Sequence, residues 1–417
     1  EGKMSPHNML VTTIGDEMHL ATNFQSKVIG IALKDRAAIL PAGHSANGAY
    51  WYDDSTGNWI TSSYYMNDLP KRVKDLNSKK IVDSYYAKDW NKLYPLSEYT
   101  QSTPDVEPYE YRPFGGKEDF PYSLKPYIGK NYGMIHVIPY GNTFTFEMAK
   151  AAIDGEQLGK GSNTDLLAIS ISTPDYIGHT FGPNSVEAQD DFLRLDKDIS
   201  AFLDYLDQQV GKGQYLVFLT ADHGVAHVPA FLKQHSIPEG NVNDQKISDQ
   251  LNALLKDKFN TDNLVIGIIN NQVFLDHNDL ASGRSLDKQK VYDAIIDFLM
   301  HQPGISRAFA LDALNEVTLN NTIKSKVTNG YYPSRSGDIQ IIFQPEWIDG
   351  FLVGGTTHGE WNPYDAHIPL IWYGWNVIPG KTNREVYMTD IAPTLAAILH
   401  VQMPSGSIGH VITEVSK

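Results

Sequence analysis

The chain has 417 residues, of which 41% are hydrophobic, 20% are charged and none is cysteine. This length allows one large α/β domain with insertions, or two to three domains, and the lack of cysteine excludes disulfide bonds, thiolate metal ligands and a cysteine nucleophile. The net charge of −15 argues against general nucleic-acid binding, which needs a basic surface, and no apolar run reaches the roughly eighteen residues of a membrane span.

Apolar periodicity predicts helices and buried strands in alternation. The first helix has its apolar face at Ile14, Met18 and Ala21, and a buried strand follows at 28–33. Further helices are predicted at 142–158, 192–206 and 390–399, and further strands at 166–171, 214–220 and 368–373. Because these strands are continuously apolar, the pattern predicts an α/β fold with a mostly parallel central sheet and helices on both faces.

Two regions depart from this alternation. Residues 94–132 are dense in Tyr and Pro, which is consistent with a long ordered loop or lid and equally with a flexible one. Residues 230–345 read as a helix, a strand pair, a second helix and a strand. We therefore expect a core formed by residues 1–229 and 346–417, and a small α+β insertion or cap at 230–345.

Two cations follow the first predicted strand. Lys34 comes directly after residues 28–33, and Arg36 lies two residues further on. Ligands of open parallel sheets bind at the carboxyl ends of strands. In an acidic protein, a pair of cations at such a position indicates a bound anion.

Three short segments carry carboxylates and imidazoles next to strand ends or glycines. They are "STPDYIGHTFGP" with Asp175 and His179, "LTADHGVAH" with Asp222 and His223, and "GGTTHGE" with His358. Carboxylate oxygen and imidazole nitrogen are the ligands that zinc accepts when no thiolate is present. Two ligands four residues apart can reach one ion from a single helical turn.

Each of these segments also has a simpler interpretation. An isolated Asp-x-x-x-His spacing occurs by chance, and "DHG" is compatible with a turn that Asp222 caps. His227 is interpreted as a supporting or structural residue. His44 and His367 either orient ligands or satisfy buried backbone groups, and the second interpretation is favoured. Together, however, the segments bring two cations, two carboxylates and three imidazoles to one edge of the predicted sheet, which indicates a site for an anion and metal.

The motifs "STPDYIGH", "LTADHG" and "TTHG", in this order, resemble those of the alkaline phosphatase superfamily, in the nucleotide pyrophosphatase/phosphodiesterase branch. The stretches "KVIGIALKDRAAILPAGH" and "AYWYDDSTGNWITSSYYM" resemble the bacterial zinc-dependent phosphate monoesterases of that branch. The resemblance implies one zinc ion held by Asp175, His179 and His358, and a second held by Asp222 and His223. It also implies that Lys34 and Arg36 bind the non-bridging oxygens of the substrate phosphate.

The family pattern begins with a strand that ends in a metal-binding Asp, followed by a Thr or Ser nucleophile and an Asn that contacts phosphate. Residues 1–417 do not match this segment; Thr12 and Thr13 in "VTTIGDEM" match a later helix instead. We therefore expect the catalytic nucleophile to lie outside this chain. The resemblance implies two zinc ions in the full-length enzyme, and we expect one of them in this chain.

The implied activity is hydrolysis of small phosphate monoesters through a covalent phospho-Thr or phospho-Ser intermediate. A phosphodiesterase or nucleotide pyrophosphatase on the same metal core is the nearest alternative. A catalytically incomplete protein that binds metal or phosphate is an alternative of another class. The first residues carry no signal-peptide pattern, yet a removed signal leaves no trace, and the resemblance implies a periplasmic or secreted protein.

Overall fold

The computed structural model of the protein describes residues 3–281, 286–350 and 354–416. The strands are β1 (Val28–Ala32), β2 (Gly48–Asp53), β3 (Asn58–Ile60), β4 (Leu166–Ser170), β5 (Leu216–Thr220), β6 (Gly240–Val242), β7 (Val265–Ile269), β8 (Gln272–Leu275), β9 (Ile305–Ala310), β10 (Ile339–Phe343), β11 (Trp347–Asp349) and β12 (Leu370–Gly374). The α-helices are α1 (Ile14–Ala21), α2 (Asp35–Ala42), α3 (Lys71–Ser78), α4 (Ile81–Tyr86), α5 (Tyr140–Glu156), α6 (Thr173–Phe181), α7 (Val186–Leu206), α8 (Pro229–Gln234), α9 (Asp244–Phe259), α10 (His277–Ala281), α11 (Lys288–Met300), α12 (Asn321–Gly330), α13 (Pro363–Ala366) and α14 (Ile391–Leu399). Within the described residues, none of these helices has the length and apolar composition needed to cross a membrane.

The chain divides into two compact units. Unit one comprises residues 1–107, 112–222 and 369–417, and unit two comprises residues 108–111 and 223–368. The predicted insertion at 230–345 falls inside unit two, which extends further in both directions. The extensions matter for the site, because they carry His223 and His358.

The main sheet of unit one has the strand order β3-β2-β1-β4. Strand β1 is parallel to both β2 and β4, whereas β3 is antiparallel to β2. Every residue of β1 is buried, because strands cover both of its edges and helices α2 and α5 contact it. The predicted helix-covered, parallel sheet is confirmed for this part of the chain.

Helix α2 packs unusually close to β1. A Cβ atom added to Gly30 of β1 would lie 2.1 Å from the carbonyl oxygen of Ala38 in α2, so only glycine fits at this crossing. The connection between the two elements is equally short, since β1 ends at Ala32 and Lys34 is already the N-cap of α2. The sequence thus fixes Lys34 at the carboxyl end of a buried strand.

Strands β4 and β5 differ from β1 in their burial. Among the described residues, β4 pairs only with β1, and β5 pairs only with the antiparallel strand β12. All residues of both strands are partly exposed, although their sequences are as apolar as that of β1. Each of the two strands therefore presents one edge that no other described strand covers.

The Tyr- and Pro-rich segment at 94–132 is ordered in the structure. Its side chains Phe114, Phe120 and Tyr122 are at most 7% exposed and join the main core of unit one. Their rings surround Trp90, whose backbone exchanges hydrogen bonds with Tyr122 at 2.9 and 3.0 Å. Of the two alternatives that the sequence left open, the structure has the ordered one.

Unit two has an α+β architecture. Its largest sheet is antiparallel with the order β7-β8-β10-β9, and a second, parallel pair joins β6 to β11. Helices α9 and α11 contact this larger sheet and bury Leu251, Leu255, Ile295 and Leu299 against it. The order of predicted elements at 246–343 is present, with β9 as a strand that periodicity did not identify.

Candidate metal and phosphate site

Asp175 and His179 lie on one face of helix α6, which follows β4 after two residues. The helix begins at Thr173 with Pro174 in its first turn, and Gly182, with a φ of 90°, ends it, so residues typical of helix ends define both ends of this short helix. The Nε2 atom of His179 is 3.2 Å from Oδ1 of Asp175. The spacing of four residues therefore brings the two side chains together, as the sequence predicts.

Lys34 reaches the same carboxylate from the end of β1. Its Nζ donates to Oδ2 of Asp175, and the two side chains are 17% and 16% exposed. Burial by itself raises the pKa of Asp175, but the hydrogen bonds from His179 and Lys34 and their positive charges outweigh it and hold the pKa well below its usual range. Asp175 is accordingly an ionised carboxylate at neutral pH, which is the form that coordinates metal.

Arg36 is placed differently from Lys34. It lies in the first turn of α2 and its side chain is exposed, whereas Lys34 caps the same turn and is half-buried. Both cations are thus at the amino end of a helix, where unpaired backbone N–H groups and the helix dipole favour an anion. The predicted cationic position is present in unit one, beside the Asp175–His179 pair.

In unit two, the rings of His223 and His358 stack with their centroids 3.4 Å apart and an interplanar angle of 12°. Together with Asp365, these two residues offer ligand atoms that all lie within 4.8 Å of one another. The Nδ1 atom of His223 is 2.7 Å from the carbonyl oxygen of Gly224. Since a carbonyl only accepts, Nδ1 carries the proton and Nε2 keeps the lone pair that a metal needs.

Asp365 is a member of this cluster that the sequence analysis missed. Its Oδ2 accepts hydrogen bonds from the backbone N–H groups of Gly359 and Glu360, each at 2.6 Å, and so fixes the loop that carries His358. Burial raises the pKa of Asp365, while these two backbone donors favour its ionised form. The sequence places Asp365 at a helix start, which resembles an ordinary capping position, and only the tertiary fold reveals its neighbours.

Asp222 is the last residue of unit one and is exposed, and His223 begins unit two. Asp222 is positioned by strand β5, which ends two residues before it at Thr220. His227, predicted to be supporting or structural, has its ring 5.4 Å from that of Phe231. His44, predicted to satisfy backbone, has Nε2 at 3.2 Å from the carbonyl oxygen of Val11, and His367 is exposed.

The donor atoms in both units suit a metal ion of the zinc type. Unit one offers carboxylate oxygen and imidazole nitrogen from Asp175 and His179, and unit two offers two imidazoles and the carboxylate of Asp365. These are borderline and hard donors without thiolate, a set that zinc accepts. The residues present therefore fit a metal cofactor.

Comparison with known proteins gives a consistent result. Residues 9–350 match the family described as type I phosphodiesterase / nucleotide pyrophosphatase. Alkaline phosphatase PhoV of Synechococcus elongatus is 51% identical over 419 residues, covering 100% of this chain and 75% of PhoV. Alkaline phosphatase PafA of Elizabethkingia meningoseptica is 46% identical over 419 residues, covering 99% of this chain and 76% of PafA.

The fold agrees with a solved structure. A crystal structure of wild-type alkaline phosphatase PafA matches the chain with a TM-score of 0.97 at 45% identity, covering 100% of this chain and 80% of PafA. The chain thus spans about three quarters to four fifths of the relatives it matches.

Proposed function

This chain belongs to the type I phosphodiesterase / nucleotide pyrophosphatase family, and we propose that it is a zinc-dependent alkaline phosphatase that hydrolyses small phosphate monoesters. The observation that carries this proposal is the position of Lys34, whose ammonium lies at the end of β1 against the carboxylate of Asp175. A cation that borders a metal-ligand pair can bind the charged oxygens of a phosphate whose phosphorus is near the metal.

The proposed ligands follow the resemblance. Asp175, His179 and His358 hold one zinc ion, and Asp222 and His223 contribute to a second. The chemistry of these donors supports the assignment, and the ionised state of Asp175 suits coordination. When bound, zinc ions supply Lewis acidity that stabilises the negative charge developing on the attacking and leaving oxygens.

Substrate binding is assigned to Lys34 and Arg36. A monoester presents two negative charges on its terminal phosphate at alkaline pH, whereas a diester presents one, so a pair of cations favours the monoester. The lysine acts as a compact point charge and the arginine as a planar fork for two oxygens. The amino end of α2 adds N–H groups oriented toward the same position.

The nucleophile in this proposal is a Thr or Ser from a segment outside residues 1–417, and it forms a covalent phospho-enzyme that water then hydrolyses. The uncovered edges of β4 and β5 are compatible with the strand that precedes such a nucleophile in the family.

By the same resemblance, we assign the protein to the periplasm or the exterior of the cell. Cell fractionation with antibody detection tests the location, and recovery only in the cytosol contradicts it.

The second candidate, a phosphodiesterase or nucleotide pyrophosphatase, is favoured by the description of the matched family. The two functions are distinguished by the ratio of kcat/KM for a chromogenic phosphate monoester to that for the matching diester, measured on the zinc-loaded full-length enzyme, which includes the segment with the nucleophile. We expect a strong preference for the monoester. A preference for the diester overturns the proposal, and turnover of neither substrate by a zinc-loaded, folded protein favours the catalytically incomplete alternative.

A further inference from the structure

Lys34 is held from two sides by consecutive residues of α6. Its Nζ donates to the carboxylate of Asp175, and it also lies 4.6 Å from the centre of the Tyr176 ring. This distance is within the range of cation–π attraction. A lysine side chain has four flexible torsions, so an ammonium without such contacts would sample many positions.

The Tyr176 ring is itself supported. The ring of His136 packs against it at 4.5 Å between centroids. His136 is 7% exposed, and its Nε2 is 2.8 Å from Oδ1 of Asp54, which fixes the orientation of the imidazole. His136 also meets the edge of Tyr52 at 5.8 Å. The ring of Tyr176 is therefore supported by a group of side chains from β2, the turn after it and the 132–137 helical turn.

The two contacts of Lys34 have different roles if Asp175 coordinates zinc, as the proposed function requires. A carboxylate that binds a metal shares its negative charge with the ion and attracts the ammonium less. The face of Tyr176 keeps its quadrupole in either case. The aromatic contact is then the one that persists when the site is loaded.

We infer that Tyr176 is a positioning residue that sets Lys34 to recognise the extra charge of a phosphate monoester, and that His136 and Asp54 hold its ring in place. The inference rests on the proposed function, because it assigns a substrate-reading role to Lys34. It adds a determinant of the choice between monoester and diester: Tyr176 lies within the motif "STPDYIGH", but it is neither a proposed zinc ligand nor one of the two cations.

The test compares Tyr176→Leu with Tyr176→Phe in the zinc-loaded enzyme. Leu removes the aromatic face, and kcat/KM for the monoester should fall about two- to thirtyfold, the range of a single cation–π contact. The value for the diester should change less than about twofold, and the affinity for inorganic phosphate measured by calorimetry should fall in parallel with the monoester value. Phe keeps the face and should rescue most of both losses.

A double-mutant cycle with Lys34→Ala isolates the coupling. In the Lys34→Ala background, Tyr176→Leu should cause no further loss. Any of three results overturns the inference: a further loss of kcat/KM in the Lys34→Ala background, an equal loss for monoester and diester, or a Tyr176→Phe variant as impaired as Tyr176→Leu. Zinc content and melting temperature, measured on every variant, separate these outcomes from loss of the metal or the fold.

The support of the ring gives a second variant. Asp54→Ala should also lower kcat/KM for the monoester, but less than Tyr176→Leu does. Asp54→Asn keeps an acceptor for Nε2 of His136, so its effect on kcat/KM should be smaller still. If Asp54→Ala lowers kcat/KM for the monoester and the diester equally, the support of the Tyr176 ring by His136 and Asp54 does not contribute to the substrate preference. If Lys34→Ala leaves the substrate preference unchanged, the proposed function of the lysine fails, whereas a preference that responds to Lys34→Ala but not to Tyr176→Leu overturns only the role of Tyr176.

Discussion

The two clusters of candidate ligands differ in how their carboxylates are balanced. In unit one, the carboxylate of Asp175 is compensated by the ammonium of Lys34 and the imidazole of His179, so a proposed ligand pair and a proposed substrate-binding cation share one carboxylate. In unit two, Asp365 is balanced by two backbone N–H groups, and the donors beside it are two stacked imidazoles. Under the proposed function, unit one would combine metal binding with recognition of charge, whereas unit two would mainly contribute ligands and hold them in place.

Removal of the unit-one carboxylate should have the largest effect. Asp175→Ala deletes a proposed ligand and the partner of both His179 and Lys34. Loss of a residue that merely supports a ligand costs about 10- to 100-fold in metal affinity or activity, so loss of the ligand itself should lower kcat/KM by more than about 100-fold. Elemental analysis should find less zinc per chain, with the remainder at the second proposed site, to which Asp222 and His223 contribute.

The matched control is Asp196→Ala, which removes an exposed carboxylate of α7. It should retain both zinc and activity. Full zinc content in Asp175→Ala would contradict the assignment of this carboxylate as a ligand.

The proposed role of Lys34 in recognising the charge of the substrate predicts the second-largest effect. Lys34→Ala should lower kcat/KM for a monoester by about ten- to over a hundredfold, since a hydrogen bond to a charged group contributes roughly 1.5–3 kcal/mol. The loss for a diester should be smaller, because it lacks the second charge. The control is Lys71→Ala, which removes an exposed lysine of α3. Equal losses of kcat/KM for monoester and diester in Lys34→Ala would show that unit one does not recognise the extra charge.

The ligand-holding role of unit two is tested at Asp365. Asp365→Ala releases the backbone of Gly359 and Glu360 and so loosens the loop of His358. Metal affinity should fall by about 10- to 100-fold, as is usual for residues that orient a ligand. Excess zinc in the assay should restore activity with an unchanged ratio of monoester to diester turnover; a changed ratio would mean that unit two also reads the substrate.

The smallest effect concerns stability and its pH dependence. Burial raises the pKa of Glu187, at the start of α7, to about 7, although Tyr122 donates to its carboxylate. The folded state therefore binds this proton more tightly than the unfolded state, so stability is higher at low pH and falls as the pH rises from about 4.5 to about 7. Glu187→Gln should remove this contribution, and its melting temperature should gain on the wild type as the pH increases.

Unit two has a counterpart in Asp244. Burial and repulsion by Asp349 raise the pKa of Asp244 to about 8. By the same linkage, the stability of Asp244→Asn relative to the wild type should increase as the pH rises from about 4, the usual pKa of an aspartate, to about 8, and then level off. Over a pH series, the melting temperature of each variant should therefore gain on that of the wild type up to about pH 7 for Glu187→Gln and up to about pH 8 for Asp244→Asn; differences that do not change with pH would contradict the raised pKa values.

Much of the architecture was predictable because its signals are local. The apolar periodicities at 142–158, 192–206 and 390–399 predicted helices that the structure has as α5, α7 and α14. The run of apolar residues with one glycine in β1 predicted a buried strand, and the two cations after it predicted a strand-end site. These features depend on residues within a few positions of one another, which a single sequence displays directly.

The remaining parts depend on contacts between distant segments. Asp365 meets His223 across more than a hundred residues, and Tyr176 meets His136 and Lys34 from three different elements. The order of segment 94–132 likewise comes from Trp90 and Phe181, which lie outside it and pack on its rings. No periodicity within a segment encodes such partners, so the sequence motifs predicted five candidate ligands but neither the place of Asp365 among the donors nor the contacts of Tyr176.

The close crossing of β1 and α2 at Gly30 has a consequence for how this protein can evolve. Any side chain at this position would collide with the backbone of α2 and push away the helix whose first turn carries Lys34 and Arg36. Gly30, which is not one of the proposed site residues, should therefore tolerate almost no substitution. The packing of β1 against α2, which positions the two cations, cannot be adjusted by small changes at this crossing. A change of substrate preference should therefore come more readily from exchange of the side chains at the end of β1 than from a shift of the helix that carries them.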